Sequence, residues 1–272
     1  MNRLGKALAA VALAPLRLAY AAWALVLFLV VGNVALLLLL VLPRLKQRRA
    51  VARATARCLL VLTGMPLRVK FAERLPGEQC IVVCNHASYL DGIVLAAALP
   101  ARFAFVIKRE MAAVPLAGLV LKRLGSEFVE RFNRARGGSD ARRVLRSAMQ
   151  GHSLVFFPEG TFTPAPGLLK FHTGAFATAA RVGCPLVPAV LRGTRRALAP
   201  SGALPKPGAL EFEILPPLAT DGASADHLAL RLRDGARAAI LASLGEPDLT
   251  CCDDTGRRPD KAPVKSVPAS RP

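Results

Sequence analysis

The stretch CIVVCNHASYLDGIVLAAAL, residues 80–99, contains the change of pattern that decides the fold. Residues 80–84 are continuously apolar, which is typical of a strand covered on both faces, and residues 89–99 have the spacing of a helix. The polar residues between them therefore follow the carboxyl end of a strand. Ligand sites of open α/β sheets lie at such ends, so we expect a functional site here.

Outside this stretch, short apolar runs continue to alternate with longer helical patterns. This alternation predicts an α/β domain built on a mixed, largely parallel sheet flanked by helices. Asp140 is predicted to cap the third helix. The predicted strands are 80–84, 103–108, 127–131, 153–157, 185–190 and 210–215, and the predicted helices are 89–99, 112–123, 140–150, 173–182 and 225–244.

The amino-terminal segment is apolar and basic, and it predicts membrane attachment ahead of the α/β domain. No Asp or Glu precedes Glu73, and residues 18–43 carry no charge. A helix of these residues would be about 39 Å long, at ~1.5 Å per residue, against a hydrocarbon core of ~30 Å. The pattern leaves two arrangements open: one tilted span, or a hairpin of two shorter helices that breaks near Gly32 and Asn33 and inserts in one leaflet.

A cleaved signal peptide is the main alternative, because Arg3 and Lys6 precede the apolar run and residues 19–21 are mostly small. Cleavage there would leave a second apolar run attached, so a signal peptide is the weaker interpretation. Three basic residues precede the apolar run and six follow it closely. The positive-inside rule then predicts an inner (cytoplasmic) membrane protein whose α/β domain faces the cytoplasm and whose basic residues contact the lipid headgroups.

Composition narrows the class of protein. The 272 residues are 53% hydrophobic, which excludes wholesale disorder. Only 6% are aromatic, which disfavours a protein that stacks nucleic acid bases on rings, so no nucleic acid partner is predicted. The six cysteines form no CxxC pair and the chain is too long to need stapling, so a disulfide framework is not expected.

These features divide the chain into three parts. Residues 1–60 are predicted as membrane-anchoring helices, 61–245 as the α/β domain, and 246–272, which are polar and proline-rich, as a disordered tail. Cys251 and Cys252 lie in that tail. A palmitoylation or metal site is one interpretation of this pair, and two exposed thiols is the simpler one.

His86 and Asp91 are the first candidates for chemistry. If a turn and a helix start separate them, the carboxylate can bind one ring nitrogen and leave the other free as a base. No nucleophilic Ser or Cys on a sharp turn accompanies them, so the nucleophile would come from a substrate. The alternative is that His86 makes a loop hydrogen bond while Ser88 or Asp91 caps a helix.

Further candidates follow other predicted strands. Glu159, Gly160 and Thr161 come directly after the strand 153–157, where glycine permits close backbone approach and a threonine hydroxyl can donate to an anion; the alternative is a plain turn. Arg131 and Lys108 each end a strand and are suited to phosphate, although each is equally compatible with a solvated surface charge. Residues 187–189, Val-Pro-Ala, look structural, because proline favours an edge or the end of a strand.

Taken in order, NHxxxxD, Lys, GxxFVxR, FPEGT and VPA resemble the glycerolipid acyltransferase family that includes the 1-acylglycerol-3-phosphate acyltransferases, over roughly residues 60–220. The resemblance implies a membrane-bound acyltransferase of the same fold. It implies roles at the matching positions: His86 as base, Asp91 as its orienting partner, Arg131 and Lys108 at the phosphate, Glu159, Gly160 and Thr161 at the acceptor, and Val187 and Pro188 at the acyl site.

The implied reaction moves an acyl group from acyl-CoA or an acyl carrier protein to a lysophospholipid acceptor, most simply 1-acylglycerol-3-phosphate, with no cofactor and no metal. Phe162 stands where many members of the family have Arg, so another acceptor, such as lysophosphatidylethanolamine or a lyso-aminolipid, is a second possibility, unless Lys170 compensates. Two interpretations of other classes remain: a non-catalytic basic scaffold that binds anionic lipids or nucleic acid, and a hydrolase that uses the same base with water.

Overall fold

The computed structural model describes residues 12–130, 134–200, 204–220 and 224–250. Two long helices open it, α1 (Ala14–Val41) and α2 (Leu45–Leu62), and they pack against each other as an antiparallel hairpin. Near one end of the hairpin, the Tyr20 hydroxyl donates to the carbonyl of Thr63 (2.7 Å) and the Trp23 indole donates to that of Leu62 (3.3 Å). The first half of α1 therefore lies against the last turn of α2.

The α/β domain follows, with strands and helices alternating along the chain. Its strands are β1 (Leu67–Lys70), β2 (Ile81–Cys84), β3 (Phe103–Lys108), β4 (Glu127–Val129), β5 (Ser153–Phe156), β6 (Leu186–Arg192) and β7 (Leu210–Ile214). Its helices are α3 (Asp91–Ala98), α4 (Ala117–Arg123), α5 (Arg134–Met149), α6 (Gly174–Val182), α7 (Thr194–Ala197) and α8 (Ala225–Leu244), with short 3-10 turns at Ala72–Arg74 and Arg109–Ala113.

The seven strands form one mixed sheet in the order β1-β7-β6-β2-β5-β3-β4. Every neighbouring pair is parallel except β6 and β7, which are antiparallel. Strands β6, β2, β5, β3 and β4 therefore share a direction, and their carboxyl ends meet at one edge of the sheet. The predicted mixed, largely parallel sheet flanked by helices is confirmed, and β2 lies near its centre.

Helices cover both faces of the sheet, which explains the continuous apolar character of β2. On one face, Ile81 and Val83 pack with residues of α5, α6 and α8, such as Phe176 and Ile240. On the other face, Val82 packs with α2 and α3. All four residues of β2 are buried. The hairpin is thus attached to the α/β domain mainly through α2, and α1 reaches the domain near its end, at Leu39 and Leu40.

Two features of the α/β domain differ from the sequence prediction. Strand β1 was not predicted, because its sequence LRVK mixes charged and apolar residues on a partly covered edge strand. Helix α5 begins at Arg134, so Asp140 lies inside the helix and the predicted cap is wrong. Its buried carboxylate instead pairs with Arg109 and Arg143 and accepts the backbone N–H of Glu130 (2.9 Å).

Of the two arrangements left open for the apolar segment, the break near Gly32 and Asn33 is not found, because α1 continues through both residues. The Asn33 side chain donates to the carbonyl of Leu29 one turn earlier (2.6 Å), which satisfies its amide within the helix. Among the described residues, α1 alone is long and apolar enough to cross a membrane, with a mean hydropathy of 3.0 over its most apolar 18 residues. Only 17% of that window is buried.

The carboxyl-terminal region is ordered further than predicted. Residues 246–250, which we call the C-terminal strap, return to the domain beside residues 167–169. The N–H of Leu168 donates to Pro247 O and that of Leu249 to Leu168 O, both at 2.9 Å. The predicted disordered tail therefore does not begin at residue 246. The remainder of that prediction, with Cys251 and Cys252, lies outside the described residues.

Candidate active site

His86 and Asp91 lie together at the carboxyl end of β2. Asp91 is the first residue of α3, and its Oδ2 is 2.7 Å from His86 Nδ1. The same oxygen accepts the backbone N–H groups of Ala87 (2.6 Å) and Ser88 (2.9 Å). Asp91 is fully buried, whereas the imidazole is 19% exposed. The loop thus holds the carboxylate rigidly and leaves the ring within reach of a ligand.

This geometry prepares the imidazole to act as a base. An ionised carboxylate only accepts hydrogen bonds, so Nδ1 must carry the proton of the 2.7 Å contact. The lone pair then lies on Nε2, for which the described part of the chain offers no hydrogen-bond partner. A positive charge that forms on the ring is stabilised by Asp91. A catalytic role for His86 stays a prediction at this point, and so does the alternative in which it only satisfies its own loop.

Aromatic rings surround the imidazole. Phe157 stacks on it with ring centroids 4.0 Å apart and planes 17° apart, and Phe162 meets it edge-on at 4.4 Å. Tyr89 in turn meets Phe162 edge-on at 4.8 Å, and its side chain is 68% exposed. Phe157 and Tyr89 lie within the FPEGT and NHxxxxD motifs, but the sequence analysis gave neither of them a role. These rings form an apolar wall beside the base and limit the approach of water to it.

Glu159 connects the two motif loops. Its Oε1 accepts the backbone N–H of His86 (2.6 Å), and its Oε2 accepts that of Leu169 (2.9 Å). Burial raises the pKa of this carboxyl to about 8, although both N–H donors and Arg195 act to lower it. Both oxygens are therefore engaged inside the protein, and a direct contact of Glu159 with the acceptor stays a prediction. Gly160 follows in a turn at φ +77°, a conformation that favours glycine.

Two arginines that the sequence analysis missed hold the loop after this turn. Arg195 of α7 donates to the carbonyls of Thr163 and Ala165 and pairs with Glu246 of the C-terminal strap. Arg237 of α8 binds Asp248 of the strap through two nitrogens and also reaches the carbonyls of Leu168 and Leu169. The loop between Thr161 and Leu169 is thus bound on its outer side by the strap.

The other predicted residues are more dispersed. Lys108 ends β3 on the same edge of the sheet, but β5 separates β3 from β2, and its Nζ lies 3.2 Å from Glu110. Thr161 is half-buried in the FPEGT turn, and Lys170 is exposed. Arg131 lies outside the described residues.

Val187 and Pro188 are buried within β6, beside β2. Proline is tolerated in this interior strand because β7 pairing begins at Ala189, so the expectation of an edge or strand end is wrong. A role for either residue at the acyl site stays a prediction.

A cavity of about 380 Å³ lies elsewhere, near the amino ends of β3 and β4. It is lined by Arg49, Glu127, Arg143 and His152 among others, and is at the opposite end of the sheet from His86. Arg49 already donates to three backbone carbonyls and Arg143 pairs with Glu127 and Asp140. We therefore place the candidate site at His86. No group of three or more metal-binding side chains occurs among the described residues.

Comparison with known proteins identifies a matching family model and several similar proteins. A family model described as "Acyltransferase" matches residues 66–192. A 1-acyl-sn-glycerol-3-phosphate acyltransferase of Cocos nucifera is 28% identical over 195 residues, which are 71% of this chain and 63% of that protein. A lyso-ornithine lipid O-acyltransferase of Pseudomonas aeruginosa is 27% identical over 199 residues, 65% of this chain and 74% of that protein. The chain thus spans less than two thirds of the length of the Cocos nucifera relative.

Among solved structures, the crystal structure of a 1-acyl-sn-glycerophosphate acyltransferase from Thermotoga maritima resembles this chain with a TM-score of 0.67. The match covers 84% of this chain and 93% of that one at 22% sequence identity. This likeness shows the fold: a mixed sheet flanked by helices.

Proposed function

This chain belongs to the acyltransferase family, and from that membership we propose that it transfers a fatty acyl group from an acyl thioester to the free hydroxyl of a lysophospholipid. The observation that carries the proposal is the His86–Asp91 pair, with one ring nitrogen bound to a buried carboxylate and the other unbound. The donor is acyl-CoA or an acyl carrier protein. The thioester supplies the driving force, so the proposed reaction uses no metal or redox cofactor.

The reaction proceeds through the substrate's own oxygen. His86 Nε2 takes the proton of the lysolipid hydroxyl as that oxygen attacks the thioester carbonyl. The tetrahedral intermediate collapses, the carbon–sulfur bond breaks, and the leaving sulfur receives the proton from the imidazolium. Asp91 stays ionised and stabilises the positive ring during both steps. Because the substrate provides the nucleophile, no covalent acyl-enzyme forms.

The preferred acceptor in this proposal is 1-acylglycerol-3-phosphate, with Lys108 and Arg131 binding its phosphate. Phe162 supports a second candidate. It presents a ring edge to His86 at 4.4 Å and a further aromatic contact to Tyr89, so no charge from this position faces an acceptor headgroup. An acceptor with a larger or zwitterionic headgroup, such as lysophosphatidylethanolamine or a lyso-aminolipid, fits that surface, and a relative named as a lyso-ornithine lipid acyltransferase supports it.

The hairpin of α1 and α2 supports attachment to one leaflet of the membrane. Helix α2 returns along α1 and carries cations from Lys46 to Arg57, and its Arg49 and Arg57 donate to carbonyls of the α/β domain. A complete crossing by α1 would carry those cations and the attached domain into hydrocarbon, where each charge costs several kcal/mol. We propose that α1 lies in the cytoplasmic leaflet of the inner membrane and that the domain faces the cytoplasm.

Release of free CoA tests the activity. The protein in detergent is given acyl-CoA with a panel of lysolipids, and CoA is measured by chromatography, since Cys58 is exposed and would react with a thiol reagent. We expect CoA release that depends on the acceptor and a fall of at least about 10²-fold in His86→Ala. Equal turnover by His86→Ala would refute the mechanism.

Two other outcomes identify the competing functions. CoA release without any acceptor would indicate a thioester hydrolase, because water would then be the nucleophile. The absence of release with every acceptor, together with lipid binding that weakens steeply with salt, would indicate a basic scaffold. The matched control is His152→Ala, whose ring lies at the other end of the sheet and should leave turnover unchanged.

A further inference from the structure

The segment between β3 and β4 exposes apolar side chains that the fold does not use. It consists of the 3-10 turn Arg109–Ala113, a tight turn, and α4. Val114, Leu116 and Leu119, which we call the apolar tip, are exposed, and Leu116 is 62% exposed. An exposed leucine is ordinary on its own, but three such side chains on one short segment form a patch.

The backbone holds the tip in a strained conformation. The N–H of Ala117 donates to the carbonyl of Pro115 at 2.6 Å, two residues earlier, which makes a γ-turn centred on Leu116. Leu116 has φ +59°, and Phe71 is the one other non-glycine residue with positive φ in the described part of the chain. Leucine is poorly suited to this conformation, which glycine or asparagine adopts more easily. Strain of this kind often accompanies a functional contact.

The backbone of the 3-10 turn also packs closely against Gly118 of α4. A Cβ atom at Gly118 would lie 2.4 Å from the carbonyl oxygen of Ala112, so only glycine permits the approach. The Gly118 N–H donates to the carbonyl of Val114 (2.8 Å). These contacts hold the turn in place, with Leu116 exposed at its centre.

The helix that follows the apolar tip is hydrogen-bonded to α1 at its far end. The Arg123 guanidinium, at the end of α4, donates to the carbonyls of Leu39 (2.8 Å) and Leu40 (2.7 Å) near the end of α1, and Arg48 of α2 donates to the carbonyl of Arg123 (2.9 Å). Helix α4 is thereby fixed beside the helix that we assign to the membrane. Lys122 and Arg123 follow the tip by one turn. Apolar side chains followed by cations are typical of segments at a bilayer surface.

We infer that the apolar tip is a second membrane contact, which inserts Val114, Leu116 and Leu119 at the boundary between headgroups and acyl chains. The inference rests on the membrane attachment proposed above for α1. A bilayer fits better than a second copy of the chain, because three side chains bury far less than the ~1,200 Å² of a stable protein interface, and because the end of α4 is hydrogen-bonded to the end of α1, the helix assigned to the membrane.

The placement has a consequence for the site. The segment leaves the carboxyl end of β3, and His86 leaves the carboxyl end of β2, on the same edge of the sheet. With the tip inserted, that edge lies against the bilayer, and the acceptor enters from the leaflet without passing through water. The tip, rather than α1 alone, sets this orientation.

Depth-dependent quenching of tryptophan tests the contact in the full-length protein. Trp23 is the one tryptophan of the chain, so Trp23→Phe gives a silent background. In that background, Leu116→Trp places an indole on the tip and Met149→Trp places one on α5, which covers the opposite face of the sheet from α2. Met149 is 69% exposed and serves as the matched control. Each protein is reconstituted into vesicles with and without brominated acyl chains.

We expect a blue-shifted emission from Trp at position 116 and strong quenching by brominated lipid, comparable with that of native Trp23, and little quenching at position 149. Quenching at 116 no greater than at 149 would overturn the inference. A blue shift without quenching would also overturn it, because it would indicate a protein partner.

Neither readout requires turnover, so the inference and the proposed activity fail separately. Leu116→Gly adds a second check. We expect it to keep or raise the melting temperature, since glycine relieves the strain, while it raises the KM for a vesicle-embedded lysolipid several-fold at unchanged kcat. An unchanged KM would contradict the contact.

Discussion

Replacing Asp91 by Asn tests the electrostatic part of the proposed mechanism without changing the shape of the site. The Asn oxygen can occupy the position of Oδ2 and keep the three hydrogen bonds from His86, Ala87 and Ser88. The amide nitrogen then takes the position of Oδ1, which is buried and has no hydrogen-bond partner. The variant therefore removes one negative charge and keeps the hydrogen bonds to the loop, but it buries an amide group whose N–H donors have no partner among the described residues.

The expected loss follows from the charge that forms on His86. Two unit charges ~4 Å apart attract by about 4 kcal/mol at an effective dielectric of about 20. Each 1.36 kcal/mol is a factor of ten in rate, so the full attraction corresponds to about 10³ in kcat. The ring is partly exposed and solvent replaces some of this attraction. We therefore expect kcat to fall by about 10²–10³.

The assay is the acceptor-dependent release of CoA at saturating substrates, with the melting temperature measured in parallel. The matched control is Asp140→Asn. Asp140 is equally buried and accepts several donors, but its partners are Arg109, Arg143 and the backbone of Glu130. Both variants should lose stability, by about 1–3 kcal/mol for a buried polar group left unpaired, but only Asp91→Asn should lose kcat. If Asp91→Asn keeps more than a tenth of kcat, the proposed role of the carboxylate is refuted.

Three further predictions concern other parts of the site. The pKa of Glu159 in the folded state, about 8, lies above the ordinary 4.5, so the folded state binds the proton more tightly than the unfolded state. The free energy of unfolding should therefore decrease as pH rises from about 4.5 to about 8. Denaturation curves of Glu159→Gln measured across this pH range should lack that decrease. Truncation after Thr250 should leave the melting temperature unchanged. Truncation after Gly245, which removes the strap, should lower the melting temperature by about 4–8 °C, which corresponds to ~2 kcal/mol in the free energy of unfolding. An equal effect of both truncations would show that the strap is dispensable. Phe162→Arg should raise the ratio of kcat/KM for lysophosphatidate over a zwitterionic lysolipid at least about ten-fold, since a charge-assisted hydrogen bond contributes ~1.5–3 kcal/mol; an unchanged ratio would exclude Phe162 from acceptor selection.

The parts of the fold that the sequence predicts are those in which local pattern and burial agree. Strand β2 is buried on both faces, so its continuous apolar run was sufficient to recognise it. The contact between His86 and Asp91 was predictable for the same reason, because a strand end followed directly by a helix start leaves few arrangements for residues five apart. The two loops meet because the carboxyl ends of β2 and β5 are neighbours in the parallel sheet.

The parts that were missed depend on contacts distant in sequence. Arg195 and Arg237 look like ordinary surface cations, and Asp248 looks like part of a polar tail, until the fold brings them to the loop after Glu159. Strand β1 forms because β7 provides a parallel partner some 140 residues later, and its four alternating apolar and charged residues are too short a run to identify it alone. Each of these depends on a partner that local pattern does not reveal.

The C-terminal strap also determines when the site can be completed during synthesis. A ribosome releases His86 and Glu159 long before Glu246 and Asp248, so the loop between residues 161 and 169 remains without its outer support until nearly the whole domain has been translated. A nascent chain that is interrupted in α8 would contain His86 and Asp91. It would lack Glu246 and Asp248, the strap residues that pair with Arg195 and Arg237 beside the neighbouring loop. Translation order thereby delays catalytic competence until the sheet, its helices and the membrane hairpin have all emerged.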